Sequence, residues 1–278
     1  MKGDRVSSGK RFFPGRPAAL LAVLLTGVSL LLPAPRVAVA PLASVGIAKE
    51  KARDLSAAIA RTLAASNYTV LGVDAVESTI GAIGEMLPPV VNPETAMLAA
   101  IADRMKCDTL IYGITGTIFS NTCIIAVLFD AENRRQKGAA VLLGGPKWDN
   151  KIGDAAARTL MENMRGTAID LGSARTFIRI APFEPGGDLT ANDAVMLTEM
   201  VKASVMSSRN YTVVDNKATI YESEKVVSAS IARFGDKGYT VTLTMTGTIS
   251  GATERNTTRN AASLSAVPGV LGAIVRSW

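Results

Sequence analysis

This chain of 278 residues contains no histidine, and that absence removes a large part of enzyme chemistry. The commonest general base and the commonest metal ligand are missing. A Ser-His-Asp or Cys-His nucleophile cannot be assembled. Cys107 and Cys123 are the only cysteines, so a zinc site would need carboxylates to complete it, an unusual ligand set. There is no Gly-x-Ser-x-Gly elbow, Walker loop or Gly-x-Gly-x-x-Gly turn. Gly144-Gly145-Pro146-Lys147 is the nearest approach to a phosphate loop, but it lacks the spacing and the Ser or Thr and reads as a strand-to-helix turn. Asp130 and Glu132 are near enough in sequence to suggest a carboxylate pair. Beside Asn133, Arg134 and Arg135 they read instead as a solvated hairpin turn. The expectation is a protein that is not an enzyme, with no catalytic residue, no metal and no cofactor.

Net charge is also scarce once the amino terminus is set aside. The whole chain has 30 basic and 24 acidic side chains. Lys2, Arg5, Lys10, Arg11 and Arg16 lie in residues 1–34 with a single acid, Asp4, which leaves 25 basic against 23 acidic residues, or +2, in the remainder. A near-neutral remainder gives no reason to expect nucleic acid as a partner. The basic head precedes Ala18–Leu32, a run of 15 residues without charge. That is long enough for the apolar segment of a signal peptide and short for a bilayer span, which needs about 20 residues. Residues 1–34 therefore read as a signal peptide; an uncleaved anchor is the alternative. Processing is expected near Ala34, although Ala38-Val39-Ala40 is also a good small-x-small site. No cysteine lies there for lipidation. The expected location is periplasmic or secreted, with no stable membrane span after signal removal. In such a compartment two cysteines can oxidise, but Cys107 and Cys123 fall far out of register on two adjacent expected strands and read as buried thiols.

What the chain does contain is an internal repeat. Residues 37–80 and 178–220 each run through an apolar segment ending in Ala-Pro-apolar, a loop, a helix-like stretch, Asn-Tyr-Thr-Val, an Asp and Thr-Ile. No reactive group recurs at the matched positions, which again weakens an enzyme reading. The repeat predicts two tandem α/β modules at 35–166 and 174–278, each a mixed sheet with helices packed on it, the second trimmed. In the first, strands are expected at Val37–Leu42, Tyr68–Val73, Thr109–Thr117, Cys123–Asp130 and Gln136–Leu143. Helices are expected at Lys49–Ala65, from Asn92-Pro93-Glu94 to Met105, and at Asn150–Met164. Asn92 is read as the cap and Pro93 as the first helical residue. In the second module Thr190 and Asp193 form a capping box for a helix reaching Met206. Strands are expected next at Lys225–Phe234, Tyr239–Gly247 and near Asn256–Leu264, then a short helix at Val267–Ser277. The second helix of the first module has no counterpart, its place being taken by Ile220–Glu224. Strand-helix-strand order with short connections predicts parallel pairing, and the hairpins make the sheets mixed.

Asn92-Pro93-Glu94-Thr95, Ala99–Ala102 and Cys107–Gly113, followed by a hairpin and Asp130–Asn133, resemble the small α/β domain shared by the amino-terminal domain of TolB, the curli secretion lipoprotein CsgG and the penicillin-binding-protein activator LpoB. Ile180-Ala181-Pro182-Phe183 resembles the strand that opens that domain. The resemblance implies a binding or assembly role in the bacterial cell envelope, with an envelope protein or a peptidoglycan-associated complex as partner. Departures are the lack of propeller repeats and of a lipidation cysteine. Two features are candidate partner surfaces: the apolar segment Ile80–Val91, with Met86, Leu87 and Val90, and Trp148 at a helix entrance; the bland readings, which the sequence favours, are a connection folded over the sheet and a side chain that staples its loop to the helix. The alternative to a partner surface is a small-ligand site in the cleft between modules.

Overall fold

Alternation of apolar runs and amphipathic segments builds eleven strands and six helices among the described residues. The computed structural model describes residues 34–84, 87–145, 150–165, 176–207, 210–214 and 223–278, and all of the elements lie in the unit Pro35–Trp278. The first half contains β1 (Arg36–Val39), β2 (Ala43–Val45), α1 (Lys49–Ala64), β3 (Thr69–Leu71), α2 (Val73–Ala82), α3 (Thr95–Met105), β4 (Thr109–Ile118), β5 (Asn121–Asp130), β6 (Arg135–Leu143) and α4 (Asn150–Arg165). The second contains β7 (Thr176–Ile180), α5 (Ala191–Met206), β8 (Tyr211–Val213), β9 (Lys225–Arg233), β10 (Tyr239–Gly247), β11 (Thr253–Ala261) and α6 (Val267–Arg276).

The strands form two mixed sheets. The first runs β3-β1-β4-β5-β6, with β2 added to β4; the second runs β8-β7-β9-β10-β11. In each, two parallel pairs flank the opening strand and an antiparallel meander comes after. The opening strands stop at the same point. Ala40 and Ala181 each give their N–H to the neighbouring strand, to Ile111 O and Val227 O at 2.8 Å, and Pro41 and Pro182, with no N–H, end the pairing there. The strand expected at Val37–Leu42 is accordingly cut short.

The two halves share one core. One face of the first sheet packs Val37, Val39, Ile111, Ile124 and Leu128 against Leu55, Ile59 and Leu63 of α1 and Leu160 of α4. Its other face, with Tyr112, Ile114, Ile125 and Phe129, belongs to a single cluster that runs through Met196, Leu197 and Met200 of α5 to Val241, Leu243 and Met245 of the second sheet and Leu271 of α6. Both faces of β5 are therefore buried, and Thr122–Phe129 reads as an unbroken apolar run after its first residue. Helix α5 lies between the sheets and, past its first turn, is buried nearly all round, which explains why its sequence lacks a clear polar stripe. Gly116 permits the approach: a Cβ there would meet Val45 O at 2.5 Å and Met196 Sδ at 3.0 Å.

Several sequence expectations shift. Tyr68–Val73 yields the short β3, and Val73 opens α2, an element the periodicity did not suggest because only Val76 and Ile80 join Val73 in its buried face. β2 was likewise not foreseen. Asn92 is not the cap of α3: that position is Glu94, without a side-chain cap, because the Asn92 side chain is engaged elsewhere. The Thr190–Asp193 capping box is present in full. The segment 215–222 and the join at 166–175 lie outside the described residues.

Candidate interaction surfaces

The Ala-Pro-apolar motif works in the same way in both halves. Past the proline, the N–H of Leu42 donates to Ser56 Oγ at 2.8 Å, and that of Phe183 to Thr198 Oγ1 at 2.9 Å. Each hydroxyl in turn donates to the carbonyl four residues earlier on its helix, Ser56 to Ala52 at 2.9 Å and Thr198 to Ala194 at 2.8 Å. A buried N–H left by the proline turn is thus satisfied by a helix side chain. The motif is visible in the sequence; the hydroxyl partners are not, since they lie 14 and 15 residues further along the chain.

Polar groups of α5 fasten the halves together. Asp193 completes the capping box and also accepts the N–H of Phe119 at 2.7 Å. Phe119 and Ser120 both have positive φ, 48° and 66°, as a two-residue hairpin turn requires, although neither is glycine. Glu199 accepts the N–H of Val91 at 2.7 Å and pairs with Lys202 at 2.5 Å, with the side chains only 5% and 7% exposed. The Tyr112 hydroxyl donates to Val91 O at 3.1 Å and accepts from Gln136 Nε2 at 2.9 Å. Burial drives the Tyr112 phenol far above its ordinary range. Gln136 also donates to Asn92 Oδ1 at 2.7 Å, and Asn92 Nδ2 to Val213 O at 3.1 Å. These ties were missed at the sequence level. The available signal was Glu199 and Lys202 standing three apart as the only charged residues of the helix past its first turn.

Of the expected partner residues, Leu87 is half-buried against the shared core, and Val90 is half-buried with its N–H bonded to Pro88 O at 2.8 Å. Val91 is fully buried. Met86 and Trp148 lie outside the described residues, as do Pro146 and Lys147. Asp130 is occupied by its own turn, accepting the Asn133 N–H and Nδ2, each at 3.0 Å. Among the described residues no group of three or more Cys, Asp or Glu could hold a metal ion. Cys107 and Cys123 are free, and burial pushes their thiols up to about 11 and about 12.

Concave regions and one open face stand out among the described residues. A cavity of about 290 Å³ sits where the halves meet, lined by Asn92, Arg134, Arg135, Gln136, Tyr211 and Val213 among others. A larger groove of about 690 Å³ lies between the 181–189 loop and β9. The open face belongs to the second sheet. Its inner face meets α5 and α6, while Ser228, Ser230, Asn256, Thr258 and Asn260 stand exposed on the outer one with Phe177. Pairing aligns Ser230, Thr242 and Thr258 in a row across it, with Thr242 and Thr258 hydroxyls 3.0 Å apart. No described helix covers this face, whereas both faces of the first sheet are covered. Among the described residues no helix is long and apolar enough to cross a membrane.

The sequence matches no known family model and no curated protein. Among solved structures the fold is similar to TolB from Acinetobacter baumannii, at 13% identity and a TM-score of 0.28 over 38% of this chain and 28% of that one, so the match spans under a third of TolB. It is also similar to the LpoB C-terminal domain from Salmonella enterica, at 11% identity and a TM-score of 0.32 over 46% of this chain and 93% of that one. A lipoprotein from Neisseria meningitidis matches at 16% identity and a TM-score of 0.34 over 48% of this chain and 99% of that one.

Proposed function

We propose that this chain is an exported, non-enzymatic binding or assembly protein of the bacterial cell envelope, built from two tandem α/β modules spanning 35–166 and 174–278. Its partner is an envelope protein or a peptidoglycan-associated complex, and the second module presents the surface that meets it. The observation that carries this reading is the outer face of the second sheet, bare among the described residues where its counterpart in the first sheet is covered by helices. The missing histidine and the engagement of Asp130 with its own turn argue in the same direction. Processing falls near Ala34. Residues 37–39 form the strand between β3 and β4 and are fully buried, so cleavage after Ala40 would remove it. Met86, Leu87, Val90 and Trp148 are proposed as a second contact area on the first module.

The test is retention of envelope polypeptides by residues 35–278, beside a Ser230→Lys/Thr242→Lys variant and a Leu87→Asp variant. A partner held by the parent and lost from the first variant, with melting unchanged, is the expected result. Retention of nothing by the parent would sink the reading. The junction cavity, with Arg134 and Arg135 in its wall, favours a second reading: a small anionic ligand bound between the modules. Calorimetric titration with small carboxylates and phosphates, lost on Arg135→Ala, would establish it instead.

A further inference from the structure

The two sheets share a strand order but differ at one edge. In the first, β1 ends at Val39 and β2 takes over beside β4, pairing Ala43 with Ile114, Ser44 with Thr115 and Val45 with Gly116 in parallel. In the second, β7 ends at Ile180 and nothing described takes over. The chain turns away through Pro182 and Pro185, and Gly186 and Leu189 bond only to each other, at 3.0 Å in both directions. Among the described residues β9 therefore has no neighbour on that side beyond Val227.

The direction of its free groups follows from the bonds that do form. Val227 O accepts from Ala181, on the β7 side, and the Phe234 N–H donates to Gly238 O, on the β10 side. Alternation along the strand then turns the N–H and C=O of Ala229 and Ile231 outward. They open into the groove of about 690 Å³, with Phe183, Leu189, Tyr239 and Leu264 among its other lining residues. The segment Val226–Ala232 carries no charge, which is the composition that invites strand pairing. The far edge of the same sheet is built the opposite way: β11 presents Glu254, Arg255 and Arg259, all exposed, and is thereby blunted.

We propose that the β9 edge is a strand-addition site for an extended segment of the envelope partner, an inference that rests on the binding reading above. The occupant runs parallel to β9, as β2 runs to β4, with small apolar residues facing Phe183 and Ile231 and polar ones between them. Val45 of β2, 8% exposed, shows the size that such a position holds. Glu184 and Asp188 against Arg233 give the groove walls a net negative charge, so Lys or Arg flanks this segment. Main-chain bonds supply the affinity and the alternate pockets the selectivity.

Amide hydrogen exchange on residues 35–278 tests this without a known partner. The amides of Ala229 and Ile231 are expected to exchange at least tenfold faster than that of Thr115, which β2 pairs at the matching edge. A synthetic peptide of residues 41–49, PLASVGIAK, which contains the β2 sequence, is expected to slow them at least tenfold. Ile231→Pro removes an outward N–H and a half-buried side chain while sparing the β10 ladder; it should abolish the peptide effect while the protein still unfolds in one cooperative transition. Amides already protected in the free protein, or exchange unmoved by millimolar peptide, would overturn strand addition. An envelope partner retained equally by the parent and by Ile231→Pro would also overturn it and leave the broader binding reading standing, whereas loss of that reading shows as a parent that retains nothing.

Discussion

The two halves of this molecule begin from matching sequence and are finished differently. Each opens with a buried strand that stops at Ala-Pro, fastens the next N–H to a helix hydroxyl, and lays its sheet down in the same strand order. The first half then encloses itself, with β2 on its edge, α1 and α4 on one face, and α2, α3 and the borrowed α5 on the other. The second half gives its helix away. Among the described residues the second sheet is left with one covered face, one bare face and an open edge. The difference teaches that one sheet can be completed by a helix from the other half, and that the half lending it is left with an unfinished surface on which a binding function can be built.

The largest effect should come from the tie between halves. Glu199→Ala leaves Lys202 buried without its partner and the Val91 N–H without an acceptor. A loss of about 3–5 kcal/mol is expected, seen as a fall in Tm of roughly 10 °C. Replacing both residues by Met should restore much of it; if the double variant is as unstable as the single, the pair does more than offset its own burial.

A second contrast separates the sheets. Gly113 has φ +152°, and a Cβ there would lie 2.0 Å from Ile125 O, whereas the corresponding position of β9 is Ala229. Gly113→Ala should cost about 3 kcal/mol through forced separation of β4 from β5, and Ala229→Gly no more than about 1 kcal/mol. Equal losses in urea denaturation would show that the two strands are not equivalent in the way their pairing suggests.

The paired hydroxyls sharpen the comparison further. Ser56→Ala and Thr198→Val each strand one buried N–H, and each should cost about 1–3 kcal/mol. If the halves use the motif alike, the two losses agree within about 0.5 kcal/mol; a much larger cost at Thr198 would mark α5 as the weaker-supported helix.

The smallest effect concerns alkaline pH. Burial raises the Cys107 and Cys123 thiols in the folded protein from the ordinary 9.0 to about 11 and about 12. The unfolded chain therefore loses these protons first, so stability is fully present below pH 9 and declines as pH rises toward 11–12. The urea midpoint should fall across that range, and less steeply in Cys107→Ala. Thiol reagents at about pH 8 should label neither cysteine until the chain unfolds.

Much of the fold was legible because it is local. The Thr190–Asp193 capping box, the meander strands and the Lys49–Ala64 helix follow from spacing within a few residues. What was not legible depends on distant partners. Asn92 has the sequence of a helix cap, yet Gln136 and Val213, 44 and 121 residues away, claim its side chain. Leu87 and Val90 lie in an apolar segment that the sequence reads either as a partner surface or as a connection folded over the sheet, and the tie that positions it, from Val91 to Glu199 108 residues away, has no local signature.

What the sequence determined by itself is therefore the internal repeat, the order of elements, the places where proline ends each opening strand, and the chemistry that a chain without histidine cannot perform. Those properties depend on residue identity and short-range periodicity, which a sequence displays directly. Tertiary structure alone decided that α5 belongs to both sheets and that, among the described residues, one face of the second sheet is bare and β9 has no neighbour past Val227. Each of these is set by which surfaces meet across a hundred residues of chain, and burial, unlike helix or strand spacing, leaves no local mark of its partner.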